Sequence, residues 1–157
     1  MTVPPIRPFV RKFLEGALDR YRKDLAAIPE ETFAGCPGGA SRSAADFTVE
    51  CTTINLHLAA LLRGETPTPL PRGEWTRATP ELQEKTFCLQ EFETAASQLI
   101  EAFDALPEEK LGEPVGGQFN SMSHIELAHF AAVHINYHDG QLNYIQAFLG
   151  DDAIHWW

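Results

Sequence analysis

Two histidines four residues apart, His134 and His138, stand inside an otherwise apolar helical pattern late in the chain. At about 100° per residue their imidazoles share one face within a single turn. Leu127, Phe130, Ile145 and Phe148 fall on or near the same line, and so does Gln141. A similar break occurs upstream, where Glu50 shares a helical face with Phe47, Ile54, Leu58 and Leu61. His57 follows seven residues later on the same side, two turns away. A lone carboxylate on a core-facing stripe is expensive, because stripping it of water costs several kcal/mol unless it is paired or bound to a cation. Two histidines at i and i+4 can both point at one ion, and a carboxylate from a facing helix would complete three protein ligands. Three ligands leave coordination positions open, as reactive metal sites do and closed structural sites do not. The His–His–carboxylate set suits Zn²⁺ and equally a non-haem Fe²⁺. A metal-free reading stands beside it, in which Glu50 pairs directly with a histidine and the imidazoles are hydrogen-bonded core residues.

Four helical stretches must position these groups. Residues 6–27 repeat Phe9, Phe13, Leu14, Ala17, Leu18, Tyr21 and Leu25 at steps of three and four, and Pro29 follows. The second stretch opens at Ser41 or Ser43, either a suitable cap, and stops near Gly64. The third begins at Thr79-Pro80-Glu81 and runs to about residue 106, before Pro107. The fourth and longest starts near Ser121 or Ser123 and ends at Gly150. Pro67, Pro69 and Pro71 make residues 65–77 unfit for a helix or a central strand. That connection is long enough to carry the chain down the side of a bundle. Residues 112–120 read equally as a short hairpin or a loop. The pattern predicts an all-α four-helix bundle with one long crossover between helices 2 and 3.

Composition narrows the function classes. The chain has 157 residues with 12 Lys+Arg against 22 Asp+Glu, a formal charge of −10, which fits one globular domain over residues 1–157. So acidic a balance opposes nucleic acid, whose binding relies on Lys and Arg neutralising phosphates, and opposes an anionic membrane surface. No apolar run approaches a membrane span, and no basic-then-apolar leader is evident. Cys36, Cys51 and Cys88 are odd in number and form no CxxC pair, which fits free thiols in a reducing cytoplasm.

Residues 134–142, HINYHDGQL, resemble the last-helix motif HxxxHxxGQ(L/I) of the DinB/YfiT-like superfamily. The stretch from Ser43 to Gly64 and the segments around Tyr144 and His155-Trp156 fit the same resemblance, and the four-helix plan covers nearly the whole chain. The resemblance implies up-down-down-up topology and a divalent metal with one ligand from helix 2 and two from helix 4. His134 and His138 match the helix-4 pair. The helix-2 ligand of the family is usually histidine, and here the alignment puts Glu50 in its place. Either Glu50 replaces that histidine or His57 serves from two turns further on, about 10 Å along the helix. The ion expected is zinc, with nickel or iron as alternatives. The family includes thiol-cofactor-dependent transferases and isomerases and metal-dependent amidases, and its members are often dimers.

The first expectation is therefore a metal-dependent enzyme on a small molecule, a hydrolase or a transferase using a low-molecular-weight thiol, with Gln141 orienting a ligand from behind. The second is a non-catalytic metal- or ligand-binding bundle, and the third a structural bundle serving a partner. Trp156 and Trp157 suggest a covered apolar patch and a homodimer, with packing at the chain end as the simpler account. Cys51, about 100° round the helix from Glu50, reads as a packed thiol. His124 and His129 read as surface or partly buried, and Asp139, opposite His138, as solvated.

Overall fold

Four α-helices form among the described residues: α1 (Ile6–Ala27), α2 (Ala44–Leu62), α3 (Lys85–Asp104) and α4 (His124–Phe148). The structure is a computed structural model that describes residues 5–70, 73–119 and 121–156. Pro71, Asn120 and Trp157, which the sequence reading used, lie outside these.

Local chemistry sets the helix ends. Ser43 caps α2 and Ser123 caps α4, each in a reciprocal box with an acid three residues on, Asp46 and Glu126. α3 starts later than the Thr79-Pro80-Glu81 signal suggests. A single 3₁₀ turn occupies Glu81–Gln83, and Glu84 then caps α3 by accepting from the N–H groups of Thr86 at 2.9 Å and Phe87 at 2.8 Å. Its carboxylate satisfies two orphan donors at once, which moves the start past the proline. α4 stops at Phe148 because Gly150 turns into the left-handed region at φ 88°. Between α3 and α4 the chain makes 3₁₀ turns at Glu108–Lys110 and Gly117–Phe119, with an isolated bridge from Pro114 to Ser123.

Side-chain pairings give the helix directions. From α1 to α4 the partners climb together: Phe13 stacks on His129 at 5.3 Å, Arg20 bonds Asn136 at 2.9 Å, and Asp24 accepts from Asn143 at 2.6 Å. α1 meets α3 in the opposite sense, Arg11 with Asp104 at 2.8 Å and Arg22 with Glu93 at 2.6 Å. Asp46, early in α2, accepts from Ala78 N–H ahead of α3, while Leu62 shares a cavity with Ala102 and Leu106 at the far end. α2 and α3 therefore run one way, and α1 and α4 the other.

The core joins all four helices through buried Leu14, Leu18, Tyr21, Leu58, Phe92, Leu99, Phe103, Leu127, Ile135 and Leu142. Each such side chain contributes about 1.5–3 kcal/mol on burial. Phe148 departs from the expected stripe and is 61% exposed, because it lies where the neighbouring α1 ends. Among the described residues, no helix is long and apolar enough to cross a membrane.

Candidate metal centre

α2 and α4 bring the three residues singled out by their spacing to one point. His134 Nε2 and His138 Nε2 are 3.3 Å apart, and Glu50 Oε1 lies 3.4 Å from His138 Nε2 and 3.7 Å from His134 Nε2. A point equidistant from these three atoms is about 2 Å from each, the length of a bond from zinc to an imidazole nitrogen or a carboxylate oxygen. The His138 side chain is 1% exposed, whereas those of His134 and Glu50 are 14% exposed, so the group is closed on one side and reachable on the other.

The surroundings fix the character of each donor. The Gln141 side-chain oxygen sits 2.6 Å from His138 Nδ1. A carbonyl oxygen only accepts, so the neutral ring carries its proton on Nδ1 and turns a bare Nε2 lone pair toward Glu50 and His134. Among the described residues no hydrogen-bond partner reaches the buried His134 Nδ1. Arg42 Nη1 donates to Glu50 Oε2 and to the Thr76 carbonyl at 3.2 Å. Burial would raise the Glu50 carboxyl, but hydrogen bonds from His134 and His138, made when their Nε2 atoms carry a proton, and from Arg42 outweigh it and hold the group well below the usual carboxylate range; with Nε2 bare, the Arg42 guanidinium remains its charged partner. The carboxylate is thus ionised. Phe47 stacks on His138 at 5.5 Å, the Arg42 guanidinium lies over the Phe47 ring at 4.8 Å, and Phe130 tilts against His134 at 6.2 Å. An anionic oxygen and two imidazole nitrogens facing one point make a donor set that fits a divalent cation.

The profile of the DinB superfamily matches residues 13–142, from α1 to just beyond Gln141 on α4. This chain belongs to the DinB superfamily. A conserved protein from Enterococcus faecalis has the same fold at a TM-score of 0.73, over 95% of this chain and 100% of that one. The two are 15% identical, so the likeness is one of fold. A search of curated proteins finds no match.

Other residues of this DinB-superfamily chain fall less simply. Cys51 also enters the centre: one ring nitrogen of each histidine and the Cys51 sulfur lie within 4.8 Å of one another. The angle from Glu50 suggested a thiol turned elsewhere, but α2 is buried on a broad face, so neighbouring positions both look inward. Burial pushes the Cys51 thiol well up, keeping it protonated beside the Tyr21 hydroxyl. All three cysteines are free. His57 is buried two turns further along α2, its ring edge-on to Phe119 at 6.3 Å.

Asp139 is 2% exposed, not solvated. α1 covers that side of α4, and burial followed by the neighbouring Asp24 carboxyl raises its carboxyl to about 8. Asp24 also accepts from Trp156 Nε1 at 2.7 Å, and Lys23 donates to the Trp156 carbonyl at 2.9 Å, so the C-terminal segment folds back onto α1. Asp24 had a visible signal, since it follows Tyr21 by three and Ala17 by seven on an apolar stripe. His124 is largely buried and bonds the Glu113 carbonyl at 2.8 Å, while His129 is exposed.

Proposed function

We propose that this protein is a divalent-metal-dependent enzyme acting on a small molecule, a hydrolase or a transferase that uses a low-molecular-weight thiol. Its metal ligands are Glu50, His134 and His138, and zinc is the ion the donor set suits best. The observation that carries this reading is the triangle of donor atoms, 3.3, 3.4 and 3.7 Å on its edges, about one common point. Membership of the DinB superfamily supports it. Glu50 is preferred to Cys51 because its Oε1 lies 3.4 and 3.7 Å from the two ring nitrogens, whereas the Cys51 group closes only within 4.8 Å.

Each residue has a defined task. Gln141 keeps the His138 proton on Nδ1, so that Nε2 is free to ligate. Arg42 occupies Glu50 Oε2 and leaves Oε1 facing the imidazoles. Phe47 and Phe130 flank the rings and limit water. The partly exposed edge formed by Glu50 and His134 admits substrate. A divalent ion held here supplies Lewis-acid chemistry, lowering the pKa of a water or thiol and polarising an electrophile.

The test is metal analysis followed by turnover. Protein purified without added ions, then reconstituted with zinc, is assayed with glutathione or cysteine plus an activated aryl halide, and with small activated amides. One ion per chain, and turnover abolished by chelation and restored by zinc, is the expected result. Absence of stoichiometric metal overturns the reading at its base. Stoichiometric metal with no turnover on either substrate class overturns the catalytic part and leaves a metal-binding bundle.

A further inference from the structure

A cavity of about 300 Å³ opens beside the metal centre, between the loop that precedes α2 and the outer face of α4. That volume is at the lower end of the range for small-molecule sites. Phe47, Tyr144 and Ile145 give it apolar walls, and Arg42 and Gln141 are polar groups at its lining. Among the described residues that line it, Arg42 is the only charged one, in a chain of net charge −10. Of its polar liners, Arg42 touches the centre through Glu50 and Gln141 through His138.

Gly140, at the rim, adds an independent observation. It stands inside α4, where glycine costs about 1 kcal/mol relative to alanine. A Cβ added there would meet nothing within 4 Å, so no neighbour in the chain requires its absence. What glycine preserves at this position is open space over the cavity.

We propose that this cavity is a binding site for the carboxylate end of a small molecule with an apolar or aromatic body, held by Arg42 and Gln141 against Phe47 and Ile145. The guanidinium has five N–H donors in a fork that matches a carboxylate, and among the described residues only Nη1 donates, to Glu50 and Thr76. The Gln141 oxygen is taken by His138, which leaves its NH₂ group as a donor. The charge balance rests on the proposed metal reading: once Glu50 shares its charge with a divalent ion, Arg42 is no longer neutralised by it, and an anion restores balance in a poorly solvated corner.

The test is calorimetric titration of benzoate into the zinc-loaded full chain, with benzamide as the uncharged match of the same shape. It is repeated on Gly140→Leu, which fills the cavity from outside the packed core, and on Arg42→Gln, with zinc content measured for each. The wild type should bind benzoate at least tenfold more tightly than benzamide. Gly140→Leu should keep its zinc and bind benzoate at least tenfold more weakly, and Arg42→Gln should lose the preference for the charged ligand. Benzoate binding that survives Gly140→Leu places the anion on the metal itself and overturns the inference, as does equal binding of the two probes or no binding at 10-fold the concentration of a millimolar ligand, on the order of 10 mM. Zinc uptake without benzoate binding sinks this inference and leaves the metal reading standing. Benzoate binding blocked by Gly140→Leu, in protein that takes up no zinc, does the reverse.

Discussion

Gln141 controls which nitrogen of His138 turns toward Glu50 and His134. Its amide oxygen, 2.6 Å from Nδ1, is the only recorded partner of that atom among the described residues, and the ring is otherwise enclosed by Phe47 and Tyr137. Removing it frees the ring to take the other tautomer and to rotate. Gln141→Ala should therefore weaken zinc binding about 10- to 100-fold, as losses of such supporting hydrogen bonds do. Because Gln141 is half-buried at a cavity rim, the melting temperature of the metal-free variant should stay close to wild type. Competition against a zinc-binding dye measures the first quantity, and unchanged affinity would make Gln141 a packing residue only. The histidines were legible because a helix puts i and i+4 on one face, and Glu50 because a carboxylate interrupts an apolar stripe. Arg42 was not, since it precedes α2 in a loop whose path depends on tertiary contacts with Thr76 and Phe47.

At the scale of the elements, the α1–α4 interface stores a pH dependence. Asp139 on α4 keeps its proton up to about 8 in the folded chain, because it is buried beside the Asp24 carboxyl on α1. In the unfolded chain the same carboxyl ionises near 4. Between those values the native state binds a proton that the unfolded state does not, so this pair's contribution falls as pH rises through the window and is lost above it. Glu50 and Asp46, both held below the usual carboxylate range, act with the opposite sign and at lower pH. Asp139→Asn supplies an uncharged donor to Asp24 and removes the slope. Calorimetry of metal-free protein should show wild-type melting temperature falling more steeply than the variant's from pH 5 to 8, with the variant higher by a few degrees at pH 8. Parallel curves would remove the shared proton from the account. The same interface shows why Asp139 was misjudged: it lies not opposite His138 but only about 100° round the helix, and the packing of α1 makes that side interior too. Helix existence was readable from three- and four-residue steps. The start of α3 was not, because a glutamate cap lies outside the usual capping residues.

For the whole molecule, the metal reading makes stability a function of zinc concentration. The ligands come from α2 and α4, so an ion between them ties together halves of the bundle that run in opposite directions. At a hundredfold excess over the dissociation constant the gain is about 2.7 kcal/mol, which for a chain of this size raises the melting temperature by roughly 5–10 °C. His138→Ala should abolish that rise, whereas a rise retained in His138→Ala would mean zinc acts through the acidic surface. The most direct measurement is anomalous diffraction at the zinc edge from crystals grown with equimolar zinc. The account predicts one peak per chain, about 2 Å from Glu50 Oε1 and from Nε2 of both His134 and His138. A peak bonded to the Cys51 sulfur with Glu50 turned away, or no peak between α2 and α4, would contradict it.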